Sequence, residues 1–178
     1  SDSRFLASML LIYAGRYGVQ SATDESLRLF ERAEALASSV GDLPLSTEAL
    51  CQLAVQELGA NRTDHARARI ERARRQLLEI STVSSDLRWA CARAEARVAK
   101  MLDGRPDKAM AILARTRADF ERQGDRSSSH YTSVLRSIAG EQMDRGELVQ
   151  ALELLRLSGR VHELNGRGST VARLQDWQ

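Results

Sequence analysis

The sequence predicts an all-α protein, an α-solenoid of four antiparallel helical hairpins followed by a C-terminal helix. Helix-forming Ala, Leu, Arg and Glu dominate its 178 residues, and alternation at period two is rarely sustained. A small residue opens the second helix of each hairpin, at Ser26, Ala66, Ala109 and Ala151, and the successive intervals are 40, 43 and 42 residues. A helical hairpin repeated at a near-constant period is typical of an α-solenoid.

The hairpins are predicted over residues 4–41, 45–81, 85–124 and 128–165. Gly41 is expected to end the second helix in a left-handed conformation, Pro44 to block its continuation, and Ser46 to cap the third helix. Residues 165–168, Asn-Gly-Arg-Gly, predict a helix stop. Residues 166–178 are then expected to form a capping or linker helix, because solenoids commonly need an atypical terminal element.

The apolar stripes of these helices predict the core. Six residues are expected to be buried, namely Leu53, Ala66, Ile70, Leu113, Ile138 and Leu155.

The two cysteines, Cys51 and Cys91, are 40 residues apart, which matches the repeat period. They are expected at similar places on neighbouring hairpins, where the usual interaxial distance of about 8–10 Å exceeds the reach of a disulfide. The sequence therefore predicts two buried, reduced thiols.

Composition limits the classes of function. The formal charge of +2 gives no overall field for nucleic acid, and no apolar run approaches the roughly 18 residues of a membrane span. The three histidines, His65, His130 and His162, lack metal-ligand spacing, and no nucleophile is paired with a base. We expect a cytoplasmic protein that is not an enzyme and has no cofactor and no membrane partner.

The hairpin resembles a tetratricopeptide repeat, whose first helix carries large, Leu, small and aromatic residues and whose second carries small, large and small ones. The last hairpin places Leu135, Ile138, Ala139 and Gln142, then Ala151, Leu155 and Ser158, at these positions. The second hairpin places Leu50, Leu53, Ala54 and Glu57, then Ala66, Ile70 and Ala73. Gln142 and Glu57 replace the aromatic, the third hairpin has Glu95 in place of the leucine, and the family period of about 34 residues is shorter.

The resemblance implies a right-handed superhelix whose concave groove, lined by the first helix of each hairpin, binds a protein or peptide. The groove positions fall on Cys51, Val55 and Leu58, on Arg93, Arg97 and Lys100, and on Arg136, Gly140 and Met143. The groove is thus expected to be apolar at its front and basic in its middle, and to suit an acidic partner. Long-period repeats ending in Gly-Asp are similar to those in large bacterial signalling proteins with transcription-factor or cyclase output domains.

Three alternatives stay open. The stripe of Arg93, Arg97 and Lys100 could be bound internally, by Glu95, by Asp103 or by the adjacent repeat. The arginine-rich helix of residues 62–75 is expected to be a solvated outer face, but it could contact nucleic acid. The chain could also be a structural spacer or form a homodimer.

Overall fold

The structure is a computed structural model that describes the backbone of residues 2–18 and 24–175, and the side chains of residues 2–15 and 24–164. This part of the chain forms eight helices and no strand, which confirms the predicted all-α class. The helices are α1 (Asp2–Gly18), α2 (Asp24–Ser39), α3 (Leu43–Gly59), α4 (Thr63–Leu77), α5 (Ser85–Met101), α6 (Pro106–Arg122), α7 (Ser129–Asp144) and α8 (Leu148–Gln175).

The chain divides into two compact units, Ser1–Ala109 and Met110–Gln178. In the first unit, neighbouring helices pack against each other from α1 to α5, and α3 is central because it contacts α2, α4 and α5. In the second unit, α7 packs against α8. Neighbouring helices that pack in chain order are the arrangement expected of a helical repeat.

The predicted core is confirmed at five of its six positions. Side chains are at most 5% exposed at Leu53, Ala66, Ile70, Leu113 and Ile138. The prediction for Leu155 is wrong, since that side chain is 40% exposed. Its repeat equivalent, Ile70, belongs to a cluster that residues of α5 complete, whereas no hairpin follows α8 within the described chain.

The turn between α2 and α3 differs from its predicted form at the start of α3. Gly41 has a φ of +69°, the left-handed conformation expected of a terminating glycine. The helix is capped by Asp42, however, whose carboxylate accepts from the backbone N–H of Leu45 at 3.1 Å. Pro44 lies in the first turn of the new helix, where its missing N–H is harmless. Ser46, predicted as the cap, is instead buried inside α3.

Helix α8 contradicts the predicted stop at residues 165–168. The helix continues without a break from Leu148 to Gln175, so no separate terminal helix begins after this segment. Side chains from residue 165 onward, including Trp177, lie outside the described residues. A glycine inside a helix costs only about 1 kcal/mol relative to alanine, which a Gly-containing stretch can tolerate.

The prediction of free thiols is wrong, because Cys51 of α3 and Cys91 of α5 form a disulfide with Cα atoms 4.9 Å apart. The prediction compared the distance between helix axes with the reach of a disulfide, whereas the distance between the two Cα atoms decides whether the bond can form. Each Cα lies about 2.3 Å from its helix axis, so two residues that face each other across axes 8–10 Å apart have Cα atoms only about 3.4–5.4 Å apart. Alanines on both helices, Ala54 and Ala94, are fully buried in the same cluster and allow this close approach.

Candidate functional site

The cationic stripe predicted on the fifth helix exists as one face of α5. Arg93, Arg97 and Lys100 are spaced i, i+4 and i+7, which places them on one side of the helix. Arg93 is half-buried and its Nη2 donates to Oε1 of Gln52 on α3 at 2.5 Å, while Arg97 is exposed. Burial, and then the positive charge of Arg97, lower the pKa of Arg93. The protein thus holds two like charges close together.

The two acids that were expected to neutralise this stripe are engaged by α4. Nε of Arg74 lies 2.9 Å from a carboxylate oxygen of Glu95, and Nη2 of Arg67 lies 3.0 Å from one of Asp103. These ion pairs join α4 to α5 and its following turn. Within the described chain, Arg97 has no carboxylate partner.

The arginine-rich helix α4 is paired on its other side too. Two of its arginines and the N-cap residue Arg62 reach acids on α2 at 2.7–3.5 Å, in the pairs Arg62–Asp24, Arg69–Glu31 and Arg72–Glu34. The exposed members of such pairs contribute little stability, about 0–1 kcal/mol each. They do neutralise the positive charge of α4, which agrees with the expected outer face.

The apolar half of the predicted site is core. Cys51 is fully buried, and Val55 and Leu58 are each 4% exposed, in a cluster with residues of α4 and α5. These three side chains therefore offer no accessible apolar surface in this structure, and the expectation of an apolar front is wrong. The α3 residue that meets Arg93 is Gln52, one position beyond the predicted Cys51.

Glu48 and Gln52 were not predicted as site residues, although the sequence contains a signal for them. Glu48, Gln52 and Gln56 follow one another at intervals of four in a helix that is mostly apolar, which predicts a polar stripe. Burial raises the pKa of Glu48 to about 7, with a further contribution from the negative charge of Asp86 in the first turn of α5. Since Asp86 precedes Arg93 by two helical turns, or about 10 Å, this surface is acidic at one end and basic at the other.

Replacing Glu48 with glutamine is expected to remove a pH dependence of stability. An acid whose pKa rises from 4.5 to about 7 on folding holds its proton more tightly in the folded state. The free energy of unfolding therefore falls as pH rises from about 4.5 to 7, by at most about 3 kcal/mol. Glu48→Gln should match the parent at pH 4 and exceed it by about 1–3 kcal/mol at pH 8.

Urea unfolding followed by circular dichroism at both pH values measures this difference. The control is Glu79→Gln, which removes an exposed carboxylate outside the helices and should shift stability equally at both values. An equal effect of Glu48→Gln at pH 4 and pH 8 would show that Glu48 ionises normally.

The remaining predicted groove residues belong to the second unit. Arg136, Gly140 and Met143 are exposed on α7, as groove positions should be, and Met143 is 52% exposed. Arg136 also lines a cavity of about 270 Å³ between α7 and α8, together with His162. No sequence pattern predicted that these two side chains share a cavity.

Comparisons with known proteins add no assignment. The chain matches no known protein family, and no curated protein is significantly similar to it. Among the described residues, no helix is both long and apolar enough to cross a membrane.

Proposed function

We propose that this chain is a tetratricopeptide-like domain that binds a carboxylate-bearing segment of a protein or peptide through the cationic stripe of α5. The observation that carries the proposal is the pair Arg93 and Arg97. One guanidinium is half-buried and oriented by Gln52, the next is exposed, and the nearby acids are engaged by α4. These contacts preorganise a positive site.

A bound carboxylate would relieve the two effects that lower the pKa of Arg93. It would supply the counter-charge that offsets burial, and it would screen the repulsion from Arg97. The planar fork of arginine can hold a carboxylate through two parallel charge-assisted hydrogen bonds. Preorganisation matters because ordering long side chains on binding costs about 0.5–1.5 kcal/mol each.

The acidic and basic ends of this surface also suggest how a partner would lie on it. The carboxylate of the partner would contact Arg97, and a donor group of the same segment would contact Glu48 two turns away along the surface. A carboxyl with a pKa of about 7 is partly protonated at neutral pH, so this second contact would strengthen as pH rises.

The setting of the domain follows only from the resemblance. A regulatory part of a larger bacterial signalling protein, of the transcription-regulator or cyclase type, is the setting that we propose. The Cys51–Cys91 disulfide argues against the expected cytoplasmic location, because disulfides persist mainly in oxidising compartments. The location therefore stays a prediction.

Selection of a random peptide library on the purified chain tests the proposed function. We expect peptides enriched in Asp and Glu, with an affinity that falls as salt concentration rises but does not vanish. Arg97→Glu should weaken the best peptide at least about tenfold, since a favourable charge-assisted contact of about 1.5–3 kcal/mol becomes a repulsion. Fluorescence polarisation of the labelled peptide measures this change.

The matched control is Arg115→Glu, the same charge reversal at an exposed position in the middle of α6. It changes the net charge equally and should leave peptide affinity within about twofold. Equal weakening by both variants would mean a long-range charge effect in place of a site. Full binding by a folded Arg97→Glu variant would show that the stripe is not the binding surface.

A further inference from the structure

The second unit contains a cavity of about 510 Å³ between α6, α7 and α8. Ala114, Ile138 and Leu154 contribute apolar wall, and Gln142 lies among the polar groups. The volume falls within the range of about 300–1,000 Å³ that is usual for ligand pockets. Gln142 occupies the repeat position where the tetratricopeptide pattern has an aromatic ring, so a smaller side chain stands where a ring would fill space.

One polar atom of this cavity lacks a partner. Oε1 of Gln142 is buried and accepts no hydrogen bond from any described residue. A buried acceptor without a donor costs free energy, and such groups in native proteins usually have a partner. The atom is therefore free to accept a hydrogen bond from a bound donor group.

The first unit shows which donor suits this repeat position. Glu57 on α3 is the equivalent of Gln142, and it is 1% exposed. There Nε of Arg69 lies 3.5 Å from Oε1 of Glu57, and Nη2 of the same arginine lies 3.5 Å from Glu31. A guanidinium from the chain itself thus donates to Oε1 of Glu57, while Oε2 of the same carboxylate has no hydrogen-bond partner among the described residues.

Two independent observations support this repeat equivalence. Aligning Ser26 with Ala109 pairs Phe30 with Leu113, and both are buried. This alignment pairs Ser38 with Glu121, and the alignment of Glu57 with Gln142 pairs Ser46 with Tyr131, so a side-chain contact between a second helix and the following first helix recurs. Oγ of Ser38 and Oγ of Ser46 are 3.0 Å apart in the first unit, and in the second the hydroxyl of Tyr131 donates to Glu121 at 2.8 Å.

The two repeats differ at two of these equivalent positions. Leu154 replaces Arg69 and removes the guanidinium, while Ala114 replaces Glu31 and removes a large side chain. Both replacements line the cavity, as does Gln142. The acceptor is retained, its internal donor is gone, and the space that the donor occupied is open.

The charges of the cavity suit a cation. Two carboxylates, Glu121 and Glu153, and one guanidinium, Arg117, line it. Nε of Arg117 donates to Glu121 at 2.8 Å, and this hydrogen bond is the main cause of the lowered pKa of Glu121. Glu121 therefore stays ionised and neutralises Arg117, which leaves the carboxylate of Glu153 as the excess charge.

From this geometry we propose that the cavity binds an arginine side chain of a partner peptide, with flanking apolar residues against its apolar walls. The guanidinium takes the place that Arg69 has in the first unit, donates to Oε1 of Gln142 and lies near Glu153. This site differs from the α5 stripe in both its unit and its charge preference, and it does not depend on the function proposed above.

The test uses the peptide acetyl-Leu-Arg-Leu-amide and the ¹⁵N-labelled 178-residue chain. We expect a saturable shift of the Gln142 side-chain amide resonance. Exchanging the central arginine for citrulline keeps the shape and removes the charge, and it should weaken binding at least about tenfold. Equal affinity of the arginine and citrulline peptides, or no shift with either, would overturn the proposal. Equal affinity for methylguanidinium would contradict a peptide source.

Leu154→Arg should place in the second unit a guanidinium equivalent to that of Arg69 in the first unit, and should abolish binding of the peptide. Leu148→Arg is the matched control, because Leu148 is 62% exposed on the same helix and does not line the cavity. It should bind the peptide as the parent does. Undiminished binding by a folded Leu154→Arg variant would overturn the proposal, and so would equal loss in both folded variants.

Discussion

Reduction of the Cys51–Cys91 bond is expected to lower the free energy of unfolding by about 4 kcal/mol. The bond closes a loop of 40 residues between α3 and α5. By the chain-entropy relation, releasing such a loop gives the unfolded chain about 4 kcal/mol of additional conformational freedom. The loss is a large fraction of the 5–15 kcal/mol that is usual for a domain.

The measurement is guanidinium chloride unfolding of protein refolded with and without reductant. Reductant must be added to the unfolded chain, because Cys51 and Cys91 are only 0% and 5% exposed in the folded state. The control is the double variant Cys51→Ala/Cys91→Ala, whose unfolding should not respond to reductant. The bond would be contradicted if reductant left the unfolding midpoint of the parent unchanged and both thiols could be alkylated in the chain unfolded without reductant.

Ile70→Ala is expected to destabilise the protein by about 2–5 kcal/mol. Ile70 is 2% exposed and belongs to the cluster shared by α3, α4 and α5, which includes Leu50 and Leu87. Truncation removes the transfer free energy of three carbon atoms and leaves a cavity that helices held in close contact can only partly fill. Chemical unfolding at neutral pH measures the change.

The repeat supplies a matched control in Leu155→Ala. Leu155 is the equivalent residue of the last hairpin, but it is 40% exposed, so truncation should cost less than about half as much as at Ile70. Equal losses at the two positions would show that α8 is covered to the same extent as α4.

How much of the proposed binding surface was predictable differs between α3 and α5. The common face of Arg93, Arg97 and Lys100 was predicted from spacing, because three cations at i, i+4 and i+7 lie on one side of any straight helix. Their place in a binding groove was implied only by the family resemblance. Glu48 and Gln52 were missed because the accessible face of α3 was taken from the family pattern, whereas the structure places Gln52, one residue beyond Cys51, against Arg93. One residue rotates a side chain by about 100° around the axis, which is enough to exchange core for surface.

The sequence by itself determined the all-α class, most of the helix positions and most of the core, because these depend on contacts among residues close in the chain and on burial of one apolar stripe per helix. Only the tertiary structure decided which residues of different hairpins face each other. Cys51 and Cys91 meet between α3 and α5, and burial together with the charge of Asp86 raises the pKa of Glu48. Gln142 lines a cavity together with the apolar side chains of Leu154 and Ala114. Each outcome depends on distances of a few ångströms between separate helices, which no local periodicity specifies.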